Sequence, residues 1–174
     1  MLAVERFRVK GRDLWIGVIF HGRIQGISFA FTRGGLLERI RNLAGFLRGR
    51  NVAVSLDVQP SNYTELVYRV LIGELNNEKA LSELSFEGVT PFERRVYEWL
   101  TKNVKRGTVI TYGSLAKALE TSPRAIGGAM KRNPYPIVVP CHRVVSKDGI
   151  GYYSSGIEEK RFLLELEGVK EWTS

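Results

Sequence analysis

Between Leu14 and Phe20 the apolar residues Leu14, Ile16, Val18 and Phe20 fall on every second position, the period of a half-buried strand. His21-Gly22 supplies a turn, a second extended run covers residues 23–31, and the two read as a β-hairpin. The period then lengthens, with Leu36, Ile40, Leu43 and Leu47 recurring at helical spacing. Alternation returns over residues 52–58. Asn62, followed three positions later by Glu65, predicts a capping box that opens a helix reaching Leu75. The polar stretch from Asn76-Asn77 to Gly88 reads as a connection to a second region.

That second region opens on Thr90-Pro91-Phe92-Glu93, in which Thr90 caps, Pro91 takes the first helical position and Glu93 reaches back to the cap backbone. Phe92, Val96, Trp99 and Leu100 form the apolar stripe of this helix, and Gly107 closes the segment. Thr111 begins a short helix bearing Leu115, Ala116 and Leu119, and Ser122-Pro123 begins another that runs to about Lys131. Two short helices joined by a tight turn suggest a helix-turn-helix. The expected organisation is an N-terminal α/β domain over residues 1–88 and a mainly α-helical domain over residues 89–174. The last of those helices is crowded with Ala125, Gly127, Gly128 and Ala129, although a helical glycine costs about 1 kcal/mol relative to alanine. Either its backbone approaches a second surface closely, with Arg124, Lys131 and Arg132 suited to phosphates, or it makes a tight helix-helix contact inside the fold. Spacing alone leaves both open.

Composition narrows the class. The chain has 174 residues, 44% hydrophobic and 25% charged, a make-up that excludes disordered and fibrous classes. A chain of this length hides roughly 70% of its unfolded surface on folding and needs no staple. Its single cysteine, Cys141, cannot form an internal disulfide, and His21 and His142 are the only histidines. A structural zinc site is therefore not expected, nor any cofactor. Residues 1–10 alternate charged and apolar positions and lack the apolar stretch of a secretory signal. With no run of eighteen apolar residues for a membrane helix, a free thiol points to a reducing cytoplasm.

The net charge of +8 is unevenly placed. Residues 1–90 hold 12 basic and 9 acidic side chains, residues 91–147 hold 11 and 3, and residues 148–174 hold 3 and 6. The middle third carries the whole excess, which suits a polyanionic partner or a merely solvated basic face.

The same segment carries the chemistry. Prolines at 134, 136 and 140 hold the chain extended, and residues 137–139 read as a buried strand that delivers Cys141 to a fixed place. The thiolate is the nucleophilic form of cysteine, and a neighbouring base raises its fraction at neutral pH. An adjacent His142 is weak evidence alone, because neighbours in a strand point to opposite faces, and a lone cysteine after an apolar strand is often packing. His21, at a turn tip, reads as structural or solvated.

Pro140-Cys141-His142-Arg143-Val144 resembles the active-site signature of the O6-alkylguanine-DNA alkyltransferase family, also called methylated-DNA–protein-cysteine methyltransferases. Residues 124–130, Arg-Ala-Ile-Gly-Gly-Ala-Met, resemble that family's recognition helix, Asn133-Pro134 its linker, Tyr153-Ser154 its substrate loop and Glu167-Gly168 its C-terminal motif. The similarity spans roughly residues 90–168, and the first ninety residues agree in length and α/β pattern. The resemblance implies an RNase H-like N-terminal domain with a small antiparallel sheet, and a C-terminal domain with a helix-turn-helix.

It also implies an activity, the irreversible transfer of an alkyl group from guanine O6 in double-stranded DNA to the protein's own cysteine. By that resemblance Cys141 is the nucleophile, His142 accepts its proton through a water, and Glu167 orients the imidazolium. Tyr112 is similar to the proton donor to the base, and Asn133 to the residue that organises the turn before the nucleophile. Val144, Tyr153 and Ser154 line the base pocket. Arg124 enters the stack in place of the flipped nucleotide, while Ala125, Gly127, Gly128 and Ala129 pack against the minor groove. A monomer is implied. The chain departs from the family pattern at Ser155, where a glycine is common, which leaves open the range of alkyl groups; O4-alkylthymine is open as well. Two other classes compete: an alkyltransferase-like damaged-base binder without a nucleophile, against which Cys141 argues, and a cysteine hydrolase, for which no further motif is present.

Overall fold

In the computed structural model, which describes residues 1–170, the chain opens with an antiparallel sheet of β1 (Leu2–Val9), β2 (Arg12–His21) and β3 (Arg23–Ala30) in that order. The hairpin is as the periodicity predicts. The third strand is the segment that reads as charged alternation: β1 pairs with β2 along its length, from Leu2 opposite Ile19 to Val9 opposite Arg12. It buries Leu2, Ala3 and Val9 and leaves Glu5 and Arg6 in water, as a strand with one wet face does.

β2 is buried on both faces. Leu14, Ile16, Val18 and Phe20 join one core, while Ile19 faces α1 (Arg33–Gly49) through Leu36, Ile40, Ala44 and Leu47. Thr32 caps this helix by accepting the Gly35 N–H at 3.0 Å. Gly17 lets it sit close, since a Cβ there would stand 2.8 Å from Ile40 Cδ1.

Four expectations from the sequence change. Residues 52–58 form no strand beyond a bridge from Val58 to Leu2; two of their carbonyls are met by side chains instead, Gln25 donating to Ala53 O at 2.9 Å and Arg48 to Val54 O at 3.0 Å. Helix α2 (Tyr63–Leu71) ends four residues early, its C-terminal turn closed over Gly73 at φ +83, and Asn62 makes no capping bond. The supposed connection of residues 76–88 is built structure: α3 (Asn77–Ala80), a 3-10 turn (Leu81–Glu83), and a parallel bridge from Leu84 to Ile24. Residues 137–139 are a turn rather than a strand. Ile137 lies at φ +76 and the Val139 N–H donates to Tyr135 O at 2.9 Å, a geometry the flanking prolines favour over a ladder.

The C-terminal half begins with α4 (Pro91–Asn103), whose capping box forms as the motif predicts, with both Thr90–Glu93 bonds at 3.1 Å. A parallel pair, β4 (Ile110–Thr111) and β5 (Val144–Val145), brackets α5 (Tyr112–Ala118) and α6 (Pro123–Lys131), and α7 (Ile157–Leu166) follows. α5 and α6 pack on each other as a helix-turn-helix pair. α4 holds both from behind, Arg95 donating to Leu119 O at 3.0 Å and the Tyr97 hydroxyl to Ala129 O at 2.6 Å. One apolar core runs through both halves, joining Leu14, Ile16 and Phe29 to Val96, Leu115, Ile126 and Val139. Among the described residues no helix is long and apolar enough to cross a membrane.

Candidate active site

Cys141 opens a 3-10 turn (Cys141–Arg143) directly after the Ile137 turn and directly before β5. That turn resolves the adjacency problem. In a strand Cys141 and His142 would face apart, whereas in the tight turn both are buried, at 5% and 2% exposure. Burial pushes the Cys141 thiol pKa up, against contacts with Asn133, Lys160 and Tyr153 that pull it down. At neutral pH the resting sulfur is a thiol.

His142 Nε2 lies 3.0 Å from Glu167 Oε2, at the C-terminal end of α7. Its Nδ1 is buried and has no protein partner. Burial lowers the His142 pKa, and Glu167 opposes that shift. Burial would raise the Glu167 pKa, but His142 and Arg143 hold this carboxyl well below the usual carboxylate range. The resting pair is therefore a carboxylate and a neutral imidazole that donates from Nε2 and keeps Nδ1 as an acceptor. Triad logic is complete on the Glu167 side.

Asn133 accepts the Tyr135 N–H at 2.9 Å and donates to Val139 O at 3.2 Å, which clamps the turn that feeds Cys141. Tyr112, at the start of α5, donates to Tyr152 O at 3.2 Å. Burial, with Cys141 and Tyr152 nearby, raises its pKa to about 12, so the phenol keeps its proton at neutral pH. Tyr153 is buried against Cys141, and Ser154 is exposed beside it. Val144 is fully buried, and its carbonyl accepts the Lys160 ammonium at 2.7 Å.

On α6, Ser122 caps by accepting the Ala125 N–H at 3.1 Å. Arg124 is exposed in the first turn, with Ala125, Gly127 and Gly128 partly open along the same helix. Ala129 departs from the expected set. It is fully buried in the core and its carbonyl serves Tyr97, so its side chain belongs to the inner face of the helix. The internal-contact reading of the small residues thus holds at Ala129, while Ala125, Gly127 and Gly128 stay partly open.

Four residues of the site were given no role by the sequence. Arg143, 1% exposed, lies inside the pentapeptide and grips both Glu167 oxygens at 2.9 and 2.8 Å. Lys160, fully buried on α7, also donates to Tyr152 O at 3.0 Å, and burial brings its pKa down to about 8. Arg39 on α1 donates to Ser155 O at 2.8 Å and so ties the N-terminal half to the loop of residues 153–155. Asn77 lies in the segment read as a connection. Only the pentapeptide could have pointed to Arg143, and the other three are ordinary polar residues on amphipathic or polar stretches. A cleft of about 250 Å³ lined by Arg39, Lys131, Asn133, Ser154 and Ser155 adjoins this group between the two halves.

Comparison with known proteins matches both halves. Residues 1–85 match the family described as methylated DNA-protein cysteine methyltransferase, N-terminal, and residues 91–169 match 6-O-methylguanine DNA methyltransferase, DNA binding domain. The chain is 90% identical over 173 residues to the methylated-DNA–protein-cysteine methyltransferase of Thermococcus gammatolerans, with 99% of each chain covered. It is 76% identical to that of Thermococcus kodakarensis, with both chains fully covered. Its fold is similar to the crystal structure of O6-methylguanine-DNA methyltransferase from Pyrococcus kodakaraensis strain KOD1, with TM-score 0.97, 75% identity, and 97% of this chain and 100% of that one covered. It is also similar to Mycobacterium tuberculosis OGT in complex with DNA, with TM-score 0.65, 27% identity, and coverage of 95% and 93%. With a buried cysteine beside a histidine paired to a carboxylate, a helix-turn-helix next to it, and relatives matching from end to end, this chain belongs to the methylated-DNA–protein-cysteine methyltransferase family.

Proposed function

We propose that the chain reverses alkylation damage in double-stranded DNA by moving the alkyl group from guanine O6 to its own Cys141, once per molecule. The observation that carries this reading is the His142–Glu167 pair next to the buried Cys141, with His142 Nε2 committed to Glu167 at 3.0 Å and Nδ1 left as an acceptor. The Cys141 proton passes through a water to Nδ1, and Glu167 stabilises the imidazolium that forms. The sulfur attacks the alkyl carbon, the S–C bond forms as the C–O6 bond breaks, and the electron pair leaves with guanine. Tyr112, protonated at neutral pH, delivers its proton to the departing base and is reprotonated from solvent. The thioether has no route back to a thiol within this site, which makes the reaction stoichiometric.

The target oxygen is stacked in the duplex, and reaching it costs a few kcal/mol of unstacking. Arg124, exposed at the start of α6, suits the role of filling the vacancy from the minor groove, with Ala125, Gly127 and Gly128 close to the groove floor. Ala129 is left out of that surface by its burial. Tyr153, Ser154 and the Val144 backbone line the base pocket in this reading. The protein acts as a monomer in the cytosol, where a free thiol persists.

The test is intact mass after incubation with duplex DNA containing O6-methylguanine. A gain of one methyl on Cys141, none in Cys141→Ala, and no second turnover is the expected result. Repeated turnover by an unmodified protein rules the proposal out.

A further inference from the structure

Asn77 belongs to the first turn of α3, in the segment between the two halves of the chain, and is 8% exposed. Its side-chain nitrogen donates to Ile137 O at 2.8 Å and to Val138 O at 3.1 Å, and its side-chain oxygen accepts from Arg143 Nη2 at 3.2 Å. The amide is thus used at both ends and has one workable orientation, since a flipped amide would face two carbonyls with its oxygen and a guanidinium with its nitrogen.

Both sets of partners lead into the active site. Ile137 is β-branched and lies at φ +76, a strained conformation that persists only where its surroundings impose it. Asn77 binds the carbonyl of that residue and of the next one, three residues before Cys141. Arg143, on the other side, holds both oxygens of Glu167, and Glu167 Oε2 is the atom paired with His142. Arg143 has one further acceptor, Val104 O at 2.8 Å.

We propose that Asn77 is a positioning residue for the reaction, a single side chain that holds the turn placing the Cys141 sulfur and, through Arg143, sets how Glu167 is shared with His142. The assignment of Cys141 as the alkyl acceptor is the reading on which its relevance to repair rests. Asn77 touches neither substrate nor reacting atoms and acts through its neighbours.

Two consequences follow from the charges around the site. The groups facing the Cys141–His142 pair are Glu167 and Arg143, Arg106 behind Glu167 at 3.9 Å, Lys160 from α7, and the phenols of Tyr97, Tyr112 and Tyr153. Removing the Asn77 oxygen leaves Arg143 with only Glu167 and the Val104 carbonyl, so it leans more on Glu167, which weakens the carboxylate's hold on His142 and makes the thiol harder to ionise. An aspartate at the same place draws Arg143 away from Glu167 and frees that carboxylate for His142. Both changes loosen the Ile137 turn, so both slow the reaction, but they move its pH dependence in opposite directions.

The experiment compares Asn77→Ala and Asn77→Asp with the unmodified chain. Cys141 is the sole cysteine, so iodoacetamide labelling reports on it alone and independently of any alkyltransferase activity, and transfer from free O6-benzylguanine adds the repair chemistry without base flipping. The expected result is a fall of about tenfold or more in both rates at neutral pH for both variants. Relative to the unmodified chain, the labelling midpoint moves to higher pH in Asn77→Ala and to lower pH in Asn77→Asp. A loss of melting temperature with unchanged rates and midpoints overturns the proposal, as do midpoints that move the same way. If neither variant folds, the unmodified protein decides: the Asn77 side-chain amide resonances must shift when Cys141 is alkylated, and no shift overturns the proposal. A chain that labels with iodoacetamide as expected but never accepts a benzyl group contradicts the repair reading and leaves the positioning role standing.

Discussion

Glu167 serves two partners at once, the Arg143 guanidinium and the His142 imidazole, and this sets the behaviour of the site at the scale of single residues. Its Oε2 is within 3.0 Å of both His142 Nε2 and Arg143 Nη2, and its Oε1 takes Arg143 Nε. The permanent charge of Arg143 helps to keep Glu167 ionised while His142 is neutral. Replacing it by Glu167→Gln removes the counter-ion of a guanidinium that is 1% exposed. The stability loss is expected to be roughly 3–5 kcal/mol, and the single-turnover transfer rate should fall about 10²-fold or more as imidazolium stabilisation is lost. Thermal unfolding and rapid-quench measurements below the variant's melting point separate the two. A destabilised variant that still transfers at the unmodified rate would make Glu167 a purely structural anchor.

At the scale of elements, Glu93 joins three helices. It caps the start of α4, while Arg50 at the end of α1 and Arg132 at the end of α6 bind its carboxylate at 2.9 and 2.7 Å. Burial alone would raise its pKa, yet the two guanidinium groups and the Thr90 N–H bring it down to about 2. A carboxyl whose folded pKa is depressed contributes stability that is present above its unfolded value, near 4.5 here, and lost as the pH falls through about 2. The shift corresponds to roughly 3 kcal/mol at neutral pH, an upper figure because Arg132 is 43% exposed. Glu93→Gln should therefore lower stability at pH 7 and narrow the gap to the unmodified protein between pH 4.5 and 2. Denaturant midpoints measured across that range check it; a gap that is constant with pH assigns the loss to packing instead. The glycines of α6 also find their reason at this scale. Gly127 has open space above it, and Gly128 lies beneath Arg132, whose Nη1 would be 3.0 Å from a Cβ. The helix stays smooth on the outside while Ile126, Ala129 and Met130 fill the core.

Across the whole molecule the charge is segregated, with the excess of 11 basic over 3 acidic side chains in residues 91–147, the segment that carries α6 and Cys141. If that surface neutralises about four to six phosphates, DNA affinity should fall with a slope of about −4 to −5 in log K against log salt. Transfer from the free base should be nearly insensitive to salt over the same range. Fluorescence anisotropy titrations at several salt concentrations test this, and a flat dependence removes the basic segment from DNA binding. Most of what a period or a motif encodes was readable along the chain: the β2–β3 hairpin, the capping box at Thr90, the helix-turn-helix and the pairing of His142 with Glu167 next to Cys141. These depend on neighbours three or four positions away, or on residue types that a reaction demands. The strand at residues 2–9, the turn at 137–139, the inward face of Ala129 and the roles of Asn77, Arg39 and Lys160 were not readable. Each depends on partners remote in sequence. A polar side chain acquires its meaning only when folding brings it, without water, against particular carbonyls and charges. The family motif was thus written locally, around Cys141, whereas the packing of two halves on one core decided how that thiol is buried and kept protonated.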